Sequence, residues 1–119
     1  MRVVHFEVPA DDPARCMGFY ERAFGWKFDK WEGPMPYWTI RTGDGPGIDG
    51  GLTPRQQPGQ VPTNVVAVES IDAATKGILA AGGTVTVPKM GIPGVGWCAY
   101  FLDTEGNAFG IIQFDPAAA

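Results

Sequence analysis

The sequence predicts an α+β protein in which two βαβββ repeats form a curved mixed sheet around a cleft, with the helices on the outer face. The order strand, helix, three strands occurs twice along 119 residues, and Gly- and Pro-rich turns separate the short segments. At an offset of 59 residues, Trp38 aligns with Trp97 and Gly51 with Gly110. A repeated order of elements indicates an internal duplication. We therefore expect one domain over residues 1–119, with repeat one at about 2–53, a linker at 54–61 and repeat two at about 62–114.

The first repeat starts with RVVHFEV, which alternates apolar side chains and is bounded by the turn PADDP. Asp12 then predicts a helix N-cap, and Pro13 fits the first helical turn, where its missing N–H is not needed. Gly25 predicts the end of this helix, because glycine readily adopts the left-handed conformation found there. Three strands are expected next, in the segments WKFDKW, PYWTIRT and GIDGGLT.

The second repeat has the same order after the aperiodic segment PRQQPGQVP. TNVVAV predicts a strand. SIDAATKGILAA predicts a helix with Ser70 as N-cap and Gly82 and Gly83 as its stop. Three strands follow in TVTVPK, GWCAYFLD and AFGIIQF, and the segment DPAAA is expected to fray.

Composition excludes several classes of function. The formal net charge is −4 and no cluster of Lys and Arg occurs, so a nucleic-acid partner is not expected. No apolar run is long enough for a membrane span, and the N-terminal segment has no features of a signal peptide. A cytoplasmic protein without a membrane partner is expected. Cys16 and Cys98 are interpreted as reduced core residues.

His5 is the only histidine, and it lies within an apolar strand. If Val4, Phe6 and Val8 pack under the helix, alternation points His5 and Glu7 to the opposite side, towards the cleft. A polar imidazole there needs no buried partner. The alternative is a histidine whose hydrogen bonds are satisfied within the packed interior.

Two segments resemble the vicinal oxygen chelate superfamily, which includes glyoxalase I, extradiol dioxygenases and bleomycin-resistance proteins. They are VVHFEVPADDPARCMGFYERAFGWKF and AYFLDTEGNAFGIIQ. The resemblance covers about residues 2–114 and implies the two-repeat fold and, as the family-based expectation, a homodimer. Metal-dependent members hold their ion with four side chains, from the first and fourth strand of each repeat. The positions that match here are His5, Gly51, Asn64 and Gly110.

This set of residues is a poor fit to a metal ion. A divalent ion needs several anionic or imidazole donors to replace its water shell, but Gly51 and Gly110 have no side chain and Asn64 is a weak donor. Glu7 could add a carboxylate beside His5, which would still leave the second repeat without a strong ligand. We therefore expect no metal and no other cofactor.

A small organic molecule is the expected partner of such a cleft. Each candidate also has a structural interpretation, as a packed aromatic or as a glycine that allows strand bending. The candidate ligand-binding residues are Trp38, Asp49, Gly51, Asn64, Trp97 and Gly110.

Two functional hypotheses remain open from the sequence. In the first, the protein is a metal-independent lyase, isomerase or hydrolase in which His5 is the general acid or base and Glu7 orients it. In the second, it is a non-catalytic protein that binds and sequesters an antibiotic or drug, as the resemblance to bleomycin-resistance proteins implies. A module whose ligand site has decayed is a third alternative.

Overall fold

A computed structural model describes residues 1–119 as two helices and eight strands. The elements, in chain order, are β1 (Val3–Ala10), α1 (Pro13–Phe24), β2 (Lys27–Lys30), β3 (Trp38–Arg41), β4 (Asp49–Pro54), β5 (Thr63–Ala67), α2 (Ile71–Ala80), β6 (Thr84–Ile92), β7 (Gly96–Leu102) and β8 (Ala108–Phe114). The predicted α+β class with two βαβββ repeats is confirmed. Hydrogen bonding orders the strands as β2-β3-β4-β1 in the first repeat and as β5-β8-β7-β6 in the second, and both groups are mixed.

The chain divides into two compact units, which we call the N-terminal unit (His5–Pro62) and the C-terminal unit (Met1–Val4 with Thr63–Ala119). These observed limits differ slightly from the expected repeats, because the first residues of β1 belong to the C-terminal unit. The backbone supplies one reason, since the Ala67 N–H donates to the Arg2 carbonyl at 2.9 Å.

In the N-terminal unit, β1 pairs in parallel with β4, and β3 pairs antiparallel with both β2 and β4. Helix α1 begins as the sequence predicts, since the Asp12 side chain accepts from the Arg15 N–H, and it ends at Gly25 in the left-handed conformation. Its apolar side packs on the sheet. The buried core there is Val8, Ala10, Ile40 and Leu52.

In the C-terminal unit, β5 pairs in parallel with β8, and β7 pairs antiparallel with both β8 and β6. The buried core is Ile71, Ala99, Phe101 and Ile111. Helix α2 has Ser70 as its N-cap, as predicted. It has a second and more distant cap, because the Gln113 side-chain oxygen of β8 accepts from the Ile71 N–H at 3.0 Å. Neither α1 nor α2 is long and apolar enough to pass through a bilayer.

The expectation of a frayed C-terminal tail is wrong. Ala118 is buried, and its carbonyl accepts from the Gly94 N–H at 3.0 Å in the turn between β6 and β7. The Asp115 side chain accepts from the Ala117 N–H and holds the preceding turn. Strand β6 also continues beyond the predicted TVTVPK to Ile92, along its partner β7.

Candidate functional site

The side chains of β1 divide between two faces, as the alternation predicts. Phe6, Val8 and Ala10 belong to the core beneath α1. His5 and Glu7 therefore point to the face of the N-terminal unit that the helix does not cover. Strand register brings two residues of β4 to the same face, since His5 pairs with Asp49 and Glu7 with Gly51.

A tyrosine completes this group of side chains. The His5 Nε2 and the Tyr37 hydroxyl are joined by a hydrogen bond of 2.7 Å between partly buried groups. Tyr37 lies just before β3 and is fixed from two sides. Its carbonyl accepts from the Trp31 N–H at 2.8 Å, and its ring packs edge-on against the Trp31 ring at 6.0 Å.

Gly51 is the residue that lets Tyr37 reach His5. A Cβ atom at position 51 would overlap the Tyr37 hydroxyl and its ring carbon. The hydroxyl therefore occupies the space that a side chain on the fourth strand would need. The sequence shows a glycine at this position, but nothing in it indicates that the side chain of another residue fills the gap.

The sequence itself holds a signal for the side of the sheet on which Tyr37 lies. Trp38 and Ile40 pack in the N-terminal core, so alternation along β3 turns Thr39 to the opposite face. Tyr37 has the same parity as Thr39, and it therefore continues that face into the preceding segment. The contact with His5 depends on the conformation of this segment.

Burial lowers the pKa of His5 below its ordinary value of 6.5, and this effect outweighs the opposing charges of Glu7, the larger, and Asp49. At neutral pH the imidazole is therefore mainly uncharged, and it can accept a proton. Asp49 is held in place by Thr42, whose backbone N–H and side-chain hydroxyl donate to one carboxylate oxygen at 2.9 and 3.1 Å.

The corresponding place in the C-terminal unit has different chemistry. Gly110 pairs with Val65 on β5 and with Tyr100 on β7. A Cβ atom at position 110 would lie 2.8 Å from the edge of the Tyr100 ring and 3.4 Å from Val65. A tyrosine again covers the glycine, but the residue that pairs with Gly110 on β5 is the buried Val65.

Asn64 does not take the place in the C-terminal unit that the offset of 59 residues gives it. The residues paired with the two glycines are Glu7 and Val65, so the residue equivalent to His5 is Thr63. Asn64 is exposed and has the strand parity of Val66, which packs with the C-terminal core. The alignment of His5 with Asn64 is therefore shifted by one residue.

The two tryptophans lie with the cores of their units. Trp38 packs against the N-terminal core, on the side of β3 opposite to Tyr37, with the Lys30 ammonium 5.8 Å from its ring. Trp97 packs against the C-terminal core, and its indole N–H donates to Asp115 at 3.2 Å. The structural interpretation accounts for the positions of both residues.

The donor set does not fit the four-ligand arrangement of the metal-dependent relatives. No group of three or more His, Cys, Asp or Glu side chains is arranged to hold an ion. A phenol oxygen stands above Gly51, and an aromatic ring stands above Gly110.

Comparison with protein families gives a clear assignment. The family described as Glyoxalase/Bleomycin resistance protein/Dioxygenase superfamily matches residues 2–111. The chain belongs to this superfamily. The resemblance found in the two sequence segments is thereby confirmed, whereas no curated protein matches the sequence.

Several solved structures share the fold of this chain at low sequence identity. The methylmalonyl-CoA epimerase of Mycobacterium tuberculosis is 10% identical with a TM-score of 0.74, covering 96% of this chain and 88% of its own. A hypothetical protein from Bacillus halodurans is 11% identical with a TM-score of 0.75, covering 96% and 94%. A variant of the Streptomyces coelicolor methylmalonyl-CoA epimerase in complex with 2-nitronate-propionyl-CoA is 13% identical with a TM-score of 0.71, covering 100% and 98%. Identities this low establish a common fold.

Proposed function

We propose that this superfamily member is a metal-independent isomerase or lyase that moves a proton on a small metabolite, with His5 and Tyr37 as its acid–base pair. The observation that carries the proposal is the 2.7 Å hydrogen bond between His5 Nε2 and the Tyr37 hydroxyl. It joins the only imidazole of the chain to a weak acid, on the face that α1 leaves uncovered.

The two groups have complementary roles. With its proton on Nε2, neutral His5 donates that N–H to the Tyr37 oxygen and uses Nδ1 to remove a proton from a carbon or oxygen of the substrate. The hydrogen of the Tyr37 hydroxyl is then free to be donated to the substrate oxygen on which negative charge develops. Glu7 and Asp49, whose charges act to raise the pKa of His5, stabilise the imidazolium formed in this step. Acid–base catalysis of this kind typically contributes about 10²–10⁴-fold to a rate.

Metal independence is part of the proposal. A carboxylate cannot replace Gly51 unless Tyr37 moves, because the Tyr37 hydroxyl fills that space. The residues of the C-terminal unit that match the family's ligand positions, Asn64 and Gly110, do not supply an anionic donor. The Tyr37 hydroxyl therefore polarises the substrate oxygen in place of a metal ion. The expected partner is a small organic molecule with an acidic carbon–hydrogen bond.

The test uses protein stripped of metal on a chelating resin and two probes with such a bond. These are methylmalonyl-CoA, which is bound in one structural neighbour, and the hemithioacetal of methylglyoxal and glutathione. Exchange of the acidic hydrogen with D₂O is followed by proton NMR. Binding is followed by intrinsic tryptophan fluorescence, to which Trp31, packed on Tyr37, contributes together with three other tryptophans.

We expect exchange by the metal-free protein, and a loss of about 10²-fold or more in His5→Gln with binding retained. Exchange that appears only after addition of Mg²⁺, Zn²⁺ or Co²⁺ would contradict metal independence. If neither probe is bound or exchanged, proton transfer next to a carbonyl is not the activity.

A second candidate is a non-catalytic protein that binds an antibiotic or drug. It is favoured by the apolar surroundings of Gly110, where Val65 and the Tyr100 ring supply contact area and no acid–base group. Binding of bleomycin, or of either probe, without exchange and without any effect of His5→Gln on binding would support this function instead.

A further inference from the structure

The N-terminal unit has an open pocket on the side of its sheet that α1 covers. The pocket has a volume of about 400 Å³ and lies between the first turns of α1, the end of β1 and the residue that follows β4. This volume is within the range of about 300–1,000 Å³ that is usual for small-molecule sites. Neither His5 nor Tyr37 lines it, so the pocket is separate from the acid–base pair.

Part of the pocket wall is apolar and aromatic. Pro9 and Ala10 of β1 are buried there, and the Tyr20 ring is fixed by stacking on Trp26 at 4.8 Å. The Phe19 ring contacts Tyr20 edge-on at 5.1 Å, yet 54% of Phe19 is exposed. A fixed aromatic wall with one exposed ring offers contact area to the ring of a ligand.

The polar part of the pocket contains two guanidinium groups. Arg15 lies in the first turn of α1, and Arg55 directly follows β4. Burial raises the pKa of the Cys16 thiol, while the charges of Arg15 and Arg55 oppose this effect. Both guanidinium groups are therefore close enough to act on the same thiol, and they converge on one region of the pocket.

The two carboxylates that border the pocket are already engaged. Asp11 accepts from the Arg55 Nε at 2.8 Å, and Asp12 accepts from the Arg15 backbone N–H as the cap of α1. Arg55 also donates to the carbonyl of Gln60. The Arg15 guanidinium, by contrast, is exposed and belongs to neither of the ion pairs. One positive charge beside the aromatic wall is therefore available to a ligand.

We propose that this pocket is a second small-molecule site, which binds an aromatic carboxylic acid with its ring on Phe19 and its carboxylate on Arg15. A guanidinium can hold a carboxylate through two parallel N–H···O bonds. Arg55, which is fixed by Asp11 and Gln60, adds positive charge at the same place. A single unpaired cation matches one carboxylate. The site goes beyond the proposed reaction and does not depend on it.

The test is a titration of the full chain with 2-naphthoate, followed by amide NMR shifts. We expect saturable shifts at Arg15, Cys16 and Phe19. Two matched probes separate the contacts, because 2-naphthalenemethanol has the ring without the charge and cyclohexanecarboxylate has the charge without the aromatic ring. Each loses one of the two contacts, so the dissociation constant of each should be about tenfold or more higher.

Substitution of the unpaired arginine tests the charge directly. Arg15→Gln should raise the dissociation constant of 2-naphthoate about tenfold, and it should leave the weaker binding of 2-naphthalenemethanol unchanged. Arg22→Gln is the matched control, since Arg22 is also an exposed arginine of α1 but does not line the pocket. This control and His5→Gln should bind 2-naphthoate as the wild type does, which separates the site from the proposed reaction.

Cys16 gives an independent readout of where the probe binds. It lines the pocket and is partly exposed, whereas Cys98 is buried. Saturating 2-naphthoate should slow the alkylation of Cys16 by iodoacetamide severalfold, as measured by mass spectrometry. No saturable binding, shifts centred on His5 and Tyr37, an Arg15→Gln variant with wild-type affinity, or an unprotected Cys16 would each overturn the proposal.

Discussion

The two repeats of this chain each place a glycine on their fourth strand and cover it with a tyrosine, yet only one of these tyrosines is hydrogen-bonded to a histidine. Over Gly51, the hydroxyl of Tyr37 lies closest to the glycine and is hydrogen-bonded to His5. Over Gly110 it lies with the edge of its ring, beside the buried Val65. The same backbone arrangement thus carries a polar site in the N-terminal unit and an apolar one in the C-terminal unit. A few side chains around one glycine are therefore sufficient to give two repeats of the same fold different chemistry.

Alanine substitutions at the two glycines test this contrast most strongly. In Gly51→Ala the new methyl group displaces the Tyr37 hydroxyl from His5, so we expect the exchange rate of the proposed reaction to fall by about 10²-fold. Strain from overpacking should also lower the free energy of unfolding by about 1–3 kcal/mol. The measurements are the NMR exchange rate and urea unfolding.

Gly110→Ala is the matched control. Its methyl group meets the Tyr100 ring edge at 2.8 Å, which should lower stability by a similar amount, about 1–3 kcal/mol, without changing the exchange rate. Equal losses of exchange in both variants would mean that the two glycines are functionally equivalent, and the contrast between the units would be lost.

Removal of each tyrosine hydroxyl sharpens the same comparison. Tyr37→Phe keeps the ring contact with Trp31 and removes the hydrogen bond to His5, so we expect a loss of about 1 kcal/mol in stability and, as in Gly51→Ala, a fall of about 10²-fold in exchange rate. Tyr100→Phe should leave the exchange rate unchanged. A Tyr37→Phe variant with the wild-type rate would remove this hydroxyl from the proposed chemistry.

The pH dependence of stability isolates the single histidine. Because burial lowers the pKa of His5 below 6.5, the unfolded chain takes up a proton at a higher pH than the folded chain. The free energy of unfolding should therefore be insensitive to His5 above that value and should fall as the pH drops below it. Urea unfolding of the wild type and of His5→Gln, compared between about pH 5 and 8, measures this difference. A wild-type stability that rises, relative to His5→Gln, as the pH falls would contradict the lowered pKa.

The smallest expected effect concerns the helices of the two units. Gly77 lies within α2, and an added Cβ would meet nothing within 4 Å. Gly77→Ala should raise stability by about 0.5–1 kcal/mol through helix propensity. Gly18→Ala in α1 should gain less, because its Cβ would lie 3.0 Å from the Arg22 guanidinium, which must move. Thermal unfolding of both variants measures the two gains in stability. A larger gain in Gly18→Ala than in Gly77→Ala would contradict the prediction.

Elements fixed by neighbouring residues could be predicted from the sequence. The Asp12 cap, the Gly25 stop and the Ser70 cap are all local, and they appear as expected. The side of β1 on which His5 lies also follows from alternation alone, because a strand has two faces and the helix-covered one must be apolar.

What depends on distant residues could not be predicted in the same way. The contact between His5 and Tyr37 joins residues 32 positions apart and depends on the conformation of the segment before β3. The alignment of Asn64 with His5 was wrong by one residue, and a shift of one residue moves a side chain to the other face of a strand. Trp38 and Trp97 occur at equivalent positions because each packs against the core of its own repeat. The sequence alone could not distinguish this explanation from a ligand site lined by both tryptophans.

The cap that Gln113 supplies to α2 has a consequence for the time at which each unit can be completed during synthesis. The N-terminal unit spans residues 5–62, and its helix starts with the adjacent cap Asp12. The other unit combines the first four residues of the chain with its last strand, and its helix receives one of its caps from position 113. On a ribosome, which releases the chain from its amino end, residues 5–62 emerge before Gln113, so α1 can be capped in its unit before the Gln113 side chain can cap α2.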